Sequence, residues 1–140
     1  MPGGYAGDVM PRDAWTMLAS DPRAVLVDVR TLAEWSFVGV PDLGDIGKEA
    51  VFASWVVFPS MEQNPSFTAE VRKAVPNVDT PVLFLCRSGG RSRAAAIAMT
   101  QLGYQQCYNI LSGFEGDKDN AHHRNTLGGW RADKLPWAQS

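Results

Sequence analysis

Two short apolar runs, each followed at once by a helix start, constrain this chain more than any other feature. Ala24-Val25-Leu26-Val27-Asp28-Val29 is interrupted by a single acid, and Val82-Leu83-Phe84-Leu85 is the most strand-like segment. Runs of this length without polar alternation read as strands buried on both faces, the situation in a parallel sheet covered on each side. After the first run, Thr31-Leu32-Ala33-Glu34 has the form of a capping box: Thr31 accepts from the backbone three residues on, and Glu34 reaches back. After the second, Ser88-Gly89-Gly90 breaks the run and Arg91 to Leu102 carries an Ala-rich helical face closed by Gly103. Strands alternating with helical segments predict an α/β fold, a parallel or mostly parallel sheet with helices on both faces and right-handed crossovers.

The remaining segments fit that frame. Pro11 opens a helix whose apolar face holds Trp15, Leu18 and Ala19, and Asp21-Pro22 stops it. Residues 39 to 50 read as loop, and Ala53 to Phe58 as a strand ended by Pro59. Asn64-Pro65 starts a helix in which Phe67, Val71 and Ala74/Val75 share a face, and Cys107 to Leu111 forms one more strand. Residues 1 to 7 read as loose, and the last 28 residues, without periodicity, wrap over the body. One hundred and forty residues, 45% hydrophobic and 20% charged, make one domain, residues 1–140, able to build a core without disulfides or structural metal. A net charge of −2 predicts no general attraction to nucleic acid or anionic membrane. The longest apolar run, Ala94 to Met99, falls far short of the roughly 20 residues that span a bilayer. No secretory signal is visible at the N-terminus, so the expected compartment is the reducing cytoplasm, where Cys86 and Cys107 are packed or reactive rather than paired.

Chemistry concentrates at Leu85-Cys86-Arg87-Ser88-Gly89-Gly90-Arg91-Ser92-Arg93. A strand delivers a thiol to a tight loop, and a helix begins immediately after. Gly89 and Gly90 permit backbone conformations closed to other residues, so that successive N–H groups can converge on one point. The helix N-terminus and Arg87, Arg91 and Arg93 add positive charge. These terms favour a thiolate, the reactive form, and an oxyanion bound beside it. Cys107 begins a strand without basic or Gly-rich neighbours and reads as a core residue. If the two strands are parallel, the cysteines sit at opposite ends of strands about 15 Å long, beyond the roughly 7 Å between Cα atoms that a disulfide needs.

Leu26-Val27-Asp28-Val29-Arg30-Thr31 with Glu34-Trp35, then Phe84 to Ser92, resembles the single-domain rhodaneses. Leu102-Gly103-Tyr104, Asn109 to Phe114, Gly129-Trp130 and Leu135-Pro136-Trp137 extend the likeness over residues 8 to 138. The resemblance implies a central parallel sheet of about five strands and a sulfurtransferase. Cys86 would be the nucleophile, taking sulfane sulfur from a thiosulfate-like anion as a persulfide and passing it to a thiol, cyanide or protein acceptor. Arg87, Ser88, Gly89, Gly90, Arg91 and Ser92 would bind the outer sulfur and the leaving anion. Asp28 would pair with Arg87 and, with Arg30, act as a support; the residues themselves read Asp28 and Arg30 as a fold-stabilising polar network. No cofactor and no metal is called for.

The chain departs from the family pattern in two places. The stretch Val38-Gly39-Val40-Pro41-Asp42 lacks the histidine many rhodaneses carry there, and an insertion before Phe52 suggests a different pocket rim. Phosphatases and arsenate reductases of the sister group place an arginine six residues after the cysteine. Here the sixth residue is Ser92, and arginines fall at the fifth and seventh positions. The shorter loop suits sulfur, which ranks sulfur transfer above phosphoryl chemistry, with a non-catalytic binding module as the reading from another class. His122-His123 reads as a solvated loop rather than a metal site. Trp130 and Trp137 are candidates to flank the mouth of the site.

Overall fold

In the computed structural model, which describes residues 4–57, 60, 62–87, 89–116, 120–121, 123–124 and 128–138, the chain runs β1 (Gly7–Val9), α1 (Pro11–Ser20), β2 (Val25–Asp28), α2 (Leu32–Phe37), β3 (Val40–Pro41), β4 (Val51–Phe52), β5 (Val56–Val57), β6 (Glu62–Gln63), α3 (Phe67–Ala74), β7 (Val82–Leu85), α4 (Gly90–Gln101), β8 (Cys107–Ile110) and β9 (Trp137–Ala138). Five strands form the central sheet in the order β1-β8-β7-β2-β4, every pair parallel. Side chains alternate across each strand and build two cores. Leu26, Leu83, Leu85 and Ile110 pack on Ala14 and Leu18 of α1, with Phe114 and Trp130 from beyond the sheet. Val27, Val29, Val82, Phe84 and Cys86 pack on Phe67 and Val71 of α3 and on Ala95, Ala96 and Met99 of α4. Both faces of β2 and β7 are therefore covered, the physical reason these runs carry no polar alternation.

Four expectations change. Ala53 to Phe58 is not one strand. The sheet takes Val51–Phe52, in register with Val27 and Asp28. Val56–Val57 pairs instead with Glu62–Gln63 as an antiparallel ribbon, and Phe58 and Pro59 lie outside the described residues. The N-terminal segment is not loose over residues 4 to 7: Tyr5 is buried, the Ala6 amide donates to the Cys107 carbonyl and Gly7 begins β1. On α1 the buried positions are Pro11, Ala14 and Leu18, and Ala19 is exposed. The 39–50 stretch is more than loop: β3 pairs with β9 near the C-terminus, and Lys48 Nζ donates to the carbonyls of Asp21 and Ala24 at 2.7 and 2.6 Å.

Two ion pairs fix the polypeptide just beyond β2. Arg30 donates through Nε to Asp28 Oδ1 (2.9 Å) and through Nη2 to Asp28 Oδ2 (2.7 Å) and the Gly39 carbonyl (2.8 Å), and its guanidinium lies 4.2 Å from the centre of the Phe114 ring. Both side chains of this pair are 0% exposed. The pair joins the end of β2 to the loop before β3 and to the turn after β8. A partnerless buried carboxylate is strongly destabilising. Arg30→Met, which keeps the apolar length and strands Asp28, is expected to lower the free energy of unfolding in urea by about 3–5 kcal/mol, with partial recovery on adding Asp28→Asn.

The second pair involves the capping box, which forms as the sequence predicts. The Glu34 amide donates to Thr31 Oγ1 and the Thr31 amide to Glu34 Oε1. Glu34 also accepts two bonds from Arg91, Nη1 to Oε1 at 2.7 Å and Nη2 to Oε2 at 2.9 Å, tying α2 to the first turn of α4. Burial alone would raise the Glu34 carboxyl, but the Arg91 guanidinium and the Thr31 donors outweigh it and hold the group below its ordinary 4.5. A carboxyl depressed on folding contributes stability that is complete above its unfolded value and is lost as pH falls through the folded one. Glu34→Gln is therefore expected to lower stability near neutrality and to flatten the loss of stability below about pH 4.5, as read from urea midpoints across pH.

Candidate active site

The site is built from the backbone outward. Cys86 directly follows β7, and the Val29 amide donates to the Leu85 carbonyl, keeping the ends of β2 and β7 level. The turn after β8 then captures the next two carbonyls. Phe114 N–H donates to the Cys86 carbonyl at 2.8 Å, and Glu115 N–H and Gly116 N–H donate to the Arg87 carbonyl at 2.9 and 3.2 Å. Gly113 makes this approach possible: it sits at φ +55°, and a Cβ there would lie 2.3 Å from the Cys86 carbonyl oxygen. With the carbonyls held toward that turn, the chain swings round at Gly89 (φ +118°), a conformation side chains rarely adopt. The Gly89 N–H then donates to Cys86 Sγ at 3.0 Å. Ser92 Oγ lies 3.2 Å from the same sulfur. The thiol is 1% exposed, at the floor of a cleft of about 200 Å³ lined by Cys86, Arg87, Gly90 and Arg91. That is smaller than the roughly 300–1,000 Å³ of a typical small-molecule pocket and suits a small anion.

The predicted site residues divide. Cys86, Gly89 and Ser92 come together around the sulfur. Gly90 begins α4 with an ordinary φ, and a Cβ there would meet nothing within 4 Å; its bareness leaves the cleft open rather than permitting a turn. Arg87 is exposed at the rim and does not pair with Asp28, whose carboxylate Arg30 occupies instead, a contact two residues away along the chain. Arg91 faces the cleft with its charge shared by Glu34. Burial disfavours that charge, but Glu34 and, more weakly, Cys86 and Asp28 hold its pKa above the ordinary value. Arg93 is exposed and interacts with Tyr5, so the charges lining the cleft are those of Arg87 and Arg91. Ser88 lies outside the described residues.

Elsewhere, Cys107 is a core residue. It pairs in register with Val82 at the opposite end of the strands from Cys86, and burial pushes its thiol up to about 11. Trp130 does not flank the cleft: it is fully buried, with Nε1 donating to the Pro136 carbonyl at 2.6 Å. Trp137, on β9, sits beneath the Arg131 guanidinium. The 39–52 segment lines a separate groove of about 700 Å³ and none of it borders the thiol cleft. His122 lies outside the described residues, and His123 is exposed. Among the described residues, no helix is long and apolar enough to cross a membrane.

Three features of the site are not read from the sequence: the Glu34–Arg91 pair, the carbonyl clamp at 113–116, and Asn109. Asn109 is fully buried and accepts from Ser92 Oγ. A lone amide inside a strand covered on both faces was the available signal, since a buried polar group needs a partner.

Comparison with other proteins fits this geometry. The family model described as "STR4 middle domain" matches residues 7–140. "Uncharacterized protein RC0915" of Rickettsia conorii is 41% identical over 124 residues, 89% of this chain and 90% of that one. The crystal structure of Rv0390 from M. tuberculosis matches with a TM-score of 0.90 and 51% identity, over 97% of this chain and 99% of that chain. The polysulfide-sulfur transferase homodimer of Wolinella succinogenes shares the fold at a TM-score of 0.64 and 19% identity, over 98% of this chain and 80% of that chain. With the Asp-x-Arg strand end, the cysteine loop and the five-stranded parallel sheet in place, the chain belongs to the rhodanese-like family, in the group described by the STR4 middle domain.

Proposed function

We propose that this protein is a sulfurtransferase carrying sulfane sulfur as a persulfide on Cys86. The observation that carries the reading is the convergence of the Gly89 N–H and Ser92 Oγ on the Cys86 sulfur, beneath a small cleft walled by Arg87 and Arg91. The sulfur-transfer activity named for the Wolinella succinogenes protein of the same fold lends it support. The thiolate attacks the sulfane sulfur of a thiosulfate-like donor. A bond forms from Cys86 Sγ to that sulfur, the donor's S–S bond breaks, and its electron pair departs with sulfite. A thiol, cyanide or protein acceptor then attacks the outer sulfur and restores the thiolate, a double displacement. Arg87 and Arg91 draw the donor anion into the cleft, and the amides at the start of α4 hold the outer sulfur's charge by preorganised donors.

Incubation with thiosulfate is expected to add one sulfur to the Cys86 peptide by mass and to yield thiocyanate once cyanide is supplied. Cys86→Ser should abolish loading and Cys107→Ser should retain it. Hydrolysis of an aryl phosphate with no sulfur adduct would replace this reading with phosphoryl chemistry. Arg87→Ala, which removes an exposed rim charge, is expected to raise KM for thiosulfate about three- to tenfold, in line with a contribution near 1 kcal/mol. Its unfolding midpoint should stay within the scatter of surface substitutions, about ±0.5 kcal/mol.

A further inference from the structure

The hydrogen bonds behind the thiol have a fixed direction. Asp8 on β1, Asn109 on β8 and Phe84 on β7 stand abreast in register. Asn109 Nδ2 donates to Asp8 Oδ1 at 3.0 Å, and Tyr5 Oη donates to the same oxygen at 2.7 Å. An ionised carboxylate only accepts. The amide nitrogen of Asn109 therefore faces Asp8, and its oxygen faces Ser92 Oγ, 2.5 Å away. Ser92 has one hydroxyl proton and, among the described residues, three acceptors within reach: Asn109 Oδ1 at 2.5 Å, Cys86 Sγ at 3.2 Å and the Gly89 carbonyl at 3.2 Å. The shortest contact takes the proton, and a lone pair of Ser92 is left facing the sulfur.

We propose that Asn109, locked by Asp8, is a positioning residue that makes Ser92 an acceptor toward Cys86 Sγ and so favours the states in which that sulfur is uncharged. One such state is the thiol, whose S–H donates to Ser92 Oγ. The other, which rests on the sulfurtransferase reading, is the persulfide, whose charge lies on the outer sulfur. The thiolate between them faces a lone pair and keeps the Gly89 N–H as its donor. The network thereby tilts the exchange of thiolate and thiosulfate for persulfide and sulfite toward the loaded enzyme.

The test reads Cys86 without a sulfur donor. The rate of iodoacetamide alkylation of the full chain is followed across pH, by the mass of the Cys86 peptide. Asn109→Leu, close in volume and without an amide, frees the Ser92 proton to donate to the thiolate. The midpoint of the profile is expected to fall by about one pH unit, with alkylation about tenfold faster below it, the size of one hydrogen bond to a charged group. Asp8→Asn lets the Asn109 amide turn over and should shift the profile the same way without altering a buried side chain. In a Ser92→Ala background both shifts should vanish, because the effect passes through that hydroxyl. An unchanged or raised midpoint, or a shift that persists without Ser92, overturns the proposal. If Asn109→Leu does not fold, Asp8→Asn and its Ser92→Ala partner decide alone. Failure of thiosulfate loading in the unaltered protein, with these shifts intact, would remove the sulfurtransferase reading and leave this role for Asn109 standing.

Discussion

The direction of two carbonyls decides what Cys86 is. Left to itself, a cysteine at the end of a doubly covered strand is a small apolar side chain, and Cys86 does pack in the α3–α4 core. The amides of Phe114, Glu115 and Gly116 change this by pulling the Cys86 and Arg87 carbonyls toward the turn after β8. The held carbonyls fix the path of the chain as it leaves β7, and Gly89 completes the turn with its amide on the sulfur. The clamp comes from a segment more than twenty residues downstream, so the loop's geometry belongs to the tertiary structure and not to the loop sequence alone. It also explains a glycine that no local turn rule would single out, since any Cβ at residue 113 would collide with the carbonyl it helps to hold.

Charge is handled in the same economical way. Asp28–Arg30 sits wholly inside, and Glu34–Arg91 sits partly inside, each in two-point contact. Bidentate geometry suits Arg for such burial, because its planar fork loses little freedom for each bond it makes. The first pair consumes the acid that the family resemblance had assigned to Arg87, which leaves Arg87 at the rim with exposure to solvent. The second allows a guanidinium to remain charged beside the thiol despite its burial. Positive potential at the cleft therefore comes from one exposed and one shared arginine, less than a count of basic residues in the loop suggests.

Much of this is legible in the sequence itself. The runs at 25–28 and 82–85, the capping box at Thr31 and the helix after Gly89 all follow from local pattern, because burial on both faces, cap chemistry and glycine punctuation act over a few residues. Cys86 was legible for the same reason. What escaped involved choice of partner. Val51–Phe52 supplies only two residues to the sheet, and nothing within them distinguishes a sheet edge from a loop, whereas Trp55-Val56-Val57 looks more strand-like, yet Val56–Val57 pairs in a ribbon outside it. Asp28 had two basic candidates, and the winner was the nearer one. Asn109 meets Ser92 and Asp8 only because three strands align in register, a fact no single segment contains.

That alignment has a further consequence. β1 is three residues long, forms one border of the sheet and, among the described residues, pairs with β8 alone. A short border strand opens at lower free energy than the strands inside. Whenever it peels away it takes Asp8 with it and leaves the Asn109 amide without its anchor. The chemical character of the sulfur is thus coupled to the breathing of the chain's first strand, and whatever pins or lifts that margin would act as a remote dial on the Cys86 thiol.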